Sequence, residues 1–442
     1  MQVRPRSSLA GGLSPAEDPC TQLGWSEARQ TAPLQLNLPA GQFITSVRGR
    51  AGRFSVRLHR CREPAFRMAF GDSTPRKNKH AGHCLSRKHP KDVPEGFLSN
   101  SAIAELLAVA AEQAKMPLQK ALRRASRKAF LWEDEAALLV LQGRSLTELP
   151  GVGPSLDRII RRWIENPPDV PNAPQIRQGF MTLPEARTTI GKGDALRVKG
   201  DLQMHTAWSD GSGSMEDMAR AASDRGYEYI AITDHSKGLK IAGGINEGQL
   251  QQQAIEIEEV NAKLQADGHK VHVLRSIELN LDPQGRGDME RDCLKRLDLV
   301  LGCFHSALRK KEDQTERYLA ALRNPDIQIL GHPRGRIYNY RLGLTAEWTK
   351  VFDMAAQLDK AVEIDAYPDR QDLSVDLVRM AKRSGCRISL GTDSHDPSQL
   401  RFMDYAVASA IRAGVKQERI LNCMSLEELK NWAATVREDH HD

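Results

Sequence analysis

Apolar positions along the chain follow three different rhythms. From about residue 196 to 437, short runs of Val, Ile, Leu and Ala alternate with longer stretches whose apolar residues recur every three or four positions. The short runs predict strands at 196–204, 229–233, 271–274, 297–304, 327–330, 361–364 and 387–390. The longer stretches predict amphipathic helices at 215–225, 247–265, 315–323, 346–357 and 374–384. Continuous apolar strands separated by helices are the pattern of a parallel sheet covered on its faces. Seven such units, mostly some 30 residues apart, predict an α/β fold that could close into a (β/α)7 barrel.

Before that region, residues 98–175 carry only the helical rhythm. Ser99 and Asn100 are good N-caps for a helix bearing Ile103, Leu106, Leu107 and Ala110. Pro117 fits the first turn of a second helix, on which Lys120, Arg123, Arg124, Arg127 and Lys128 form a basic stripe, and a third helix follows Glu133. Residues 176–195 read as a linker with a short helix at 183–190. Residues 1–97 are rich in Arg, Ser, Pro and Gly, with little periodicity, and disorder is the default expectation; residues 43–58 have the alternation of a short strand pair. His80, His83, Cys84 and His89 lie close together there, in a spacing that matches no closed zinc site, and Met68 is an alternative start.

Charge sharpens this division. The formal net charge is +6, but up to Glu95 there are 16 Lys or Arg against 7 Asp or Glu, and 47 against 50 beyond, so the basic excess belongs to the tail. The seven cysteines are scattered without a CxxC, which fits a reducing, cytoplasmic setting. No apolar run reaches the ~18 residues of a membrane-spanning helix, so no membrane association is expected.

Two stretches carry candidate chemistry. In residues 145–165, Pro150-Gly151-Val152-Gly153 precedes Leu156, Ile159, Ile160 and Ile164 at helical spacing. This resembles a helix-hairpin-helix element: Gly151 and Gly153 let the backbone approach a phosphate, and N–H groups at the next helix's start bind it without reading sequence. Arg158, Arg161 and Arg162 would add charge, so DNA is the expected partner; the bland alternative is an inter-helix turn. The second is the set of side chains just past the predicted strand ends. His205 and Asp210 follow the first strand, with Gln203 at its end; His235 follows the second, Glu278 the third, His305 the fourth and His332 the fifth. Asp393 and His395 follow the seventh. Five of this region's seven histidines therefore fall where barrel enzymes build their sites; His269 and His272 lie before or within a strand and read as structural.

This set resembles the polymerase-and-histidinol-phosphatase (PHP) superfamily over residues 196 to about 435. Thr233-Asp-His-Ser-Lys-Gly-Leu-Lys-Ile-Ala-Gly-Gly, Phe304-His-Ser-Ala and Gly331-His-Pro-Arg-Gly-Arg are similar to the PHP domain that ends bacterial family X DNA polymerases, as is the helix-hairpin-helix region; no nucleotidyltransferase palm is found. The resemblance implies two or three divalent ions, manganese or zinc, in neighbouring positions. His205, Glu278 and Asp393 with residue 203 would hold one; Glu278, His305 and His332 a second; Asp210, His235 and His395 a third. The family usually has His-x-His where this chain has Gln203-Met204-His205, and Gln offers only a neutral carbonyl oxygen. That first ion would be loose, exchangeable or completed by water.

Adjacent metals would generate a hydroxide and neutralise phosphoryl charge, with Glu278 bridging and Asp393 or His395 shuttling a proton. Lys237, Arg334 and Arg336 are candidates for gripping the substrate phosphate. The expectation is a metal-dependent phosphoesterase acting at DNA ends, as a 3′-5′ exonuclease or 3′-phosphatase of the DNA-repair type. The alternatives are a small-molecule phosphatase of the histidinol-phosphatase type and a weakly active DNA-binding accessory module.

Overall fold

A computed structural model describes residues 42–50, 53–60, 97–193 and 196–438, and the chain divides into two units between Cys84 and Leu85. In the first unit, β1 (Gln42–Arg50) and β2 (Arg53–Arg60) form an antiparallel hairpin with a register shift between Ile44 and Ser46. Pairing, not the default disorder, therefore describes these residues; the His80, His83, Cys84 and His89 group lies outside the described residues.

The second unit begins with helices. Ser99 caps α1 (Asn100–Gln113), its side chain accepting the Ala102 N–H. Asn100 does a different job: its side chain accepts the Ala136 N–H at 2.9 Å and donates to Asp134 O at 3.0 Å, tying α1 to the start of α3 (Ala136–Leu141). Between them runs α2 (Leu118–Lys128), whose Lys120, Arg123, Arg124 and Lys128 are exposed while Leu122 and Ala125 are buried. α4 (Pro154–Glu165) buries Leu156, Ile160 and Ile164 against Trp132, Leu146 and Val152. After the extended 167–174 segment, α5 (Leu183–Lys192) starts with a capping box between Thr182 and Glu185.

The rest of the unit is α/β with parallel sheets. In chain order come β3 (Gly200–Asp201), α6 (Met215–Asp224), β4 (Tyr229–Ile232), α7 (Glu247–Ala266), β5 (His272–Arg275), β6 (Glu278–Asn280), α8 (Arg291–Leu294), β7 (Leu301–Cys303), α9 (Thr315–Arg323), β8 (Ile329–Leu330), α10 (Trp348–Gln357), β9 (Ala361–Asp365), α11 (Val375–Ser384), β10 (Arg387–Gly391), α12 (Met403–Ala413) and α13 (Leu426–Glu438). One sheet has the order β10-β9-β8-β7-β6 and the other β3-β4-β5. Parallel bridges at Met204–Ser394 and His235–Glu278 join the two. Leu202, Tyr229, Leu274, Leu301, Ile329 and Ala361 from both sheets form one apolar cluster, which Leu429 and Trp432 of α13 close.

β3, β4, β7 and β8 are shorter than the apolar runs predict, and side chains take several positions of the backbone ladder. Asp201 accepts the Gln203 and Thr392 N–H groups, Thr233 the Met204 N–H, Gln328 the Val300 N–H and Asn422 the Leu390 N–H. The third predicted strand, 271–274, is followed at once by another that was not predicted. His272–Arg275 belongs to one sheet and Glu278–Asn280 to the other, so Glu278 opens a strand and does not sit in a loop beyond one.

The helical part is fastened to the loops that follow β8 and β9. Tyr338 is buried in the helical core, edge-on to Phe130 at 4.7 Å between ring centroids and 3.1 Å from Ser126 Oγ. Arg127 pairs with Asp369 at 2.8 Å. Arg177 is buried and forks onto Glu105 at 2.9 and 2.8 Å, with Glu112 at 2.7 Å and Asn339 at 3.2 Å.

Lys360, just before β9, is buried with its ammonium on Asn324 O at 2.6 Å. Burial pushes its pKa down to about 7, against the opposing field of Asp326. The unfolded chain therefore binds the extra proton between about pH 7 and 10.5, so stability should rise with pH across that window. Lys360→Met is expected to stabilise the protein by on the order of 2 kcal/mol at pH 7, after allowing for the lost hydrogen bond. Denaturant midpoints at pH 7 and 9 check it: the mutant's advantage should shrink at the higher pH.

Candidate metal centre

The loop from Gln203 to Gly211 is held from below by Asp234, which is buried on the adjacent chain segment. Asp234 accepts from Thr206 N–H at 2.8 Å, Thr206 Oγ1 at 2.7 Å, Ser209 Oγ at 2.5 Å and Gln253 Nε2 at 2.7 Å. His205 and Asp210 are thereby presented at the C-terminal end of β3. Ser394 O receives the His205 N–H at 2.7 Å, which brings the 393–395 segment alongside.

Glu278 lies at the middle of what gathers there, fully buried. Its Oε1 is 2.8 Å from both His305 Nε2 and His332 Nε2. Its Oε2 is 3.2 Å from His205 Nε2, 3.7 Å from His235 Nδ1 and 3.0 Å from Gln203 Nε2. One carboxylate thus faces both halves of the histidine set. Asp393 Oδ1 stands 3.0 Å from His205 Nε2. Asp210 Oδ1, partly exposed at the mouth, stands 3.6 Å from His235 Nε2 and 3.4 Å from His395 Nε2. The His205 ring stacks on those of His235 and His395, with centroids 4.4 and 4.5 Å apart.

Four overlapping groups have ligand atoms within 4.8 Å of one another: His205, Asp210, His235 and His395; His235, Glu278 and His305; Glu278, Cys303 and His332; and His205, Glu278 and Asp393. The structure therefore brings together eight of the nine expected metal-site residues in these groups, and Gln203, the ninth, is hydrogen-bonded to Glu278. The donor set fits divalent cations. Both ring nitrogens of His205 and Nδ1 of His235 are buried without a hydrogen-bond partner, although carboxylate oxygens lie close by. Imidazole lone pairs and carboxylates converging off the hydrogen-bond line are an arrangement a cation satisfies.

The electrostatics follow from burial and crowding. Burial alone would raise Glu278, but the His235 and His332 imidazoles hold it well below the usual carboxylate range. Burial opposes protonation of His332, yet Glu278 beside it lifts its pKa to about 9. Burial takes His305 down to about 4 despite its Glu278 contact. For Asp393, burial is outweighed by Arg370 and His205, which keep it ionised.

The three basic residues expected to hold phosphate have other partners. Lys237 pairs with Glu247 at 2.6 Å. Arg334 donates to Leu344 O and Leu342 O. Arg336 is buried over the Phe180 ring and donates to Arg370 O and Gly179 O, so it fastens the 179–180 segment to the 370 loop. Arg370, which the sequence reading did not single out, lies in the cluster: Nη1 is 2.7 Å from Asp393 Oδ2, and the side chain is 32% exposed. Glu363 and Asp365 of β9, both buried, were also missed; their spacing of two along a strand was the available signal. Cys303, fully buried at the end of β7, joins Glu278 and His332 in one of these groups.

In the helical part, Gly151 has φ of +83° and stands 3.3 Å from Lys128 Cγ, measured from an ideal Cβ position. Val152 is buried, Gly153 precedes α4 as its N-cap, and Arg158 and Arg162 are exposed. Arg161 turns back to Arg144 O at 3.0 Å and Asp157 at 3.4 Å.

A parallel α/β frame with histidines and carboxylates converging at its strand ends defines a metal-dependent phosphoric ester hydrolase. The PHP domain model matches residues 201–389, and the chain belongs to the PHP family. It is 31% identical over 249 residues to a "Probable phosphatase" of Acetivibrio thermocellus, covering 54% of this chain and 96% of that one. It is 32% identical over 258 residues to the "DNA polymerase/3'-5' exonuclease PolX" of Bacillus subtilis, covering 58% of this chain but only 45% of that protein. A solved histidinol phosphate phosphatase from Lactococcus lactis, complexed with zinc, L-histidinol and phosphate, aligns at 20% identity and a TM-score of 0.36 over 50% of this chain and 95% of that one.

Proposed function

We propose that this protein is a metal-dependent phosphoesterase acting at DNA ends, of the 3′-5′ exonuclease or 3′-phosphatase type. The observation that carries the hydrolytic half is the shared position of Glu278, with one oxygen on His305 and His332 and the other on His205 and Gln203. We read the two bridged sheets as a distorted seven-stranded barrel, in which β5 and β6 are one interrupted strand. His205, Glu278, Asp393 and Gln203 would hold one ion, Glu278, His305 and His332 a second, and Asp210, His235 and His395 a third. Histidine-rich ligation favours zinc or manganese over magnesium. When bound, such ions supply a hydroxide near neutral pH and charge neutralisation at the phosphoryl oxygens.

The chain's own residues supply the rest. His395 Nδ1 is 2.7 Å from the Asp393 carbonyl oxygen; donating to it fixes the tautomer that leaves the Nε2 lone pair facing the mouth, where it is available to the third ion. Arg370 draws Asp393 into the site and keeps an exposed face for a substrate phosphate.

The DNA half rests on the helical part. Pro150 to Gly153 resemble a helix-hairpin-helix, and Lys128 at the end of the basic stripe adjoins Gly151, so the free N–H groups at the α4 start share a face with exposed cations. Among the described residues no helix is long and apolar enough to cross a membrane, and Cys293, Cys303, Cys386 and Cys423 are unpaired, which suits a cytoplasmic location. A second reading, a small-monoester phosphatase, is favoured by the near-complete span of the Acetivibrio relative.

The test is a panel of 3′-hydroxyl and 3′-phosphate DNA ends and p-nitrophenyl and histidinol phosphates, run with manganese and with zinc. Trimming or dephosphorylation of DNA, abolished by Asp393→Ala, is the expected result. Saturation by a small monoester at low concentration with no DNA retention would favour the second reading, and activity surviving Asp393→Ala would sink both.

A further inference from the structure

Gln203 and Glu363 each keep one oxygen without a donor, and both oxygens border the same glycine. Gln203 is fully buried; its Nε2 donates to Glu278 Oε2, and its Oε1 has no hydrogen-bond partner. Glu363, on β9, is also fully buried; its Oε2 accepts the His332 N–H at 2.7 Å, and its Oε1 has no partner. Both orphaned oxygens border Gly391: a Cβ there would collide with Glu363 Oε1 and lie 3.0 Å from Gln203 Oε1. A buried acceptor left without a donor costs about 1 to 3 kcal/mol, so two of them side by side call for a reason.

A half-turn of the Gln203 amide about its terminal torsion exchanges oxygen and nitrogen and moves little else. Nε2 would then face Glu363 Oε1, giving that carboxylate the donor it lacks. Oε1 would replace it beside Glu278 Oε2, the oxygen 3.2 Å from His205 Nε2, with Asp393 Oδ1 3.0 Å from the same nitrogen. Without a cation the turned amide sets two acceptors, Gln203 Oε1 and Glu278 Oε2, against each other. With a cation between them the turned orientation satisfies every group.

We propose that Glu363 is a positioning residue: it holds the Gln203 amide by its N–H so that the carbonyl oxygen becomes a ligand of the ion shared with His205, Glu278 and Asp393. The inference rests on reading this cluster as a metal centre. It gives Gln203 the role of a conditional ligand, swung into place by the ion and retained by a carboxylate from a different strand. Partners that orient metal ligands in this way typically change affinity by about 10- to 100-fold when removed.

The experiment is calorimetric titration of the chelator-stripped full chain with manganese and with zinc, resolving each binding step. Glu363→Gln is expected to weaken one step by about 10- to 100-fold, since its amide can donate to Gln203 Oε1 and lock the amide away from the ion. Gln203→Glu alone should also bind more weakly, with two carboxylates facing each other. The double variant exchanges donor and acceptor, so it should bind more tightly than either single variant. Unchanged binding in Glu363→Gln, or a double variant no better than the weaker single one, overturns the proposal. A wild-type chain that binds neither ion would instead overturn the metal-centre reading. If the Glu363 variants do not fold, a zinc-bound crystal structure of the wild type decides: Gln203 Oε1 on the ion and Nε2 on Glu363 support the proposal, and an amide turned away from the ion refutes it.

Discussion

Glu278→Gln is expected to reduce phosphoester hydrolysis by at least about a thousandfold, the scale seen when a group essential to charge stabilisation in the transition state is removed. The reason is positional. Glu278 belongs to three of the four overlapping ligand groups, more than any other residue, and puts one oxygen on His305 and His332 and the other on His205. An amide at this position keeps one weak acceptor and turns an N–H toward one half of the set, so both halves lose their common anion. Metal content measured on the same sample separates causes: the variant should lose more than one ion per chain, where His395→Ala should lose at most one. Near-normal turnover with full metal content would show that Glu278 is not the shared ligand.

Arg177→Met is expected to destabilise the protein by about 3 to 5 kcal/mol, the range for removing one partner of a buried ion pair. Arg177 is buried, and its guanidinium is the forked partner of Glu105, which is equally buried. The substitution leaves that carboxylate without its cation, and Glu112 and Asn339 lose the same partner. A lower denaturant midpoint checks this, and Arg177→Met combined with Glu105→Leu should recover part of the loss, because the orphaned charge is then gone. No shift in the midpoint would mean that the pair contributes nothing net.

The site was legible where its chemistry breaks the strand pattern. His205, His235, His305, His332 and Asp393 interrupt apolar runs at strand ends, and imidazoles recurring in that position signal a shared ligand. Asp234 was not legible, and Glu363 and Asp365 offered only their spacing of two, because a carboxylate inside or beside a buried strand reads as one polar residue among many. The roles of two of them come from neighbours far off in sequence: His332 for Glu363, Thr206 and Gln253 for Asp234. Arg336 and Arg370 illustrate the same limit from opposite sides. Arg336 follows His332 closely in sequence and Arg370 is near no predicted ligand, yet the fold makes the first fasten a segment and the second face Asp393. Helix positions were read well from periodicity. Strand lengths were not, and Asp201, Thr233, Gln328 and Asn422 replace backbone partners with side chains and leave no periodic trace.

Tyr338 belongs by sequence to the segment after His332, yet its ring is packed among residues of the first four helices. Anyone cutting the chain at its proline-rich stretch, where composition places the seam, would leave that ring stranded in water and an aromatic-sized hole in the discarded half. A fragment that starts ahead of Ser99 keeps that ring covered, so the linker is a connection to be kept intact, not a cloning boundary.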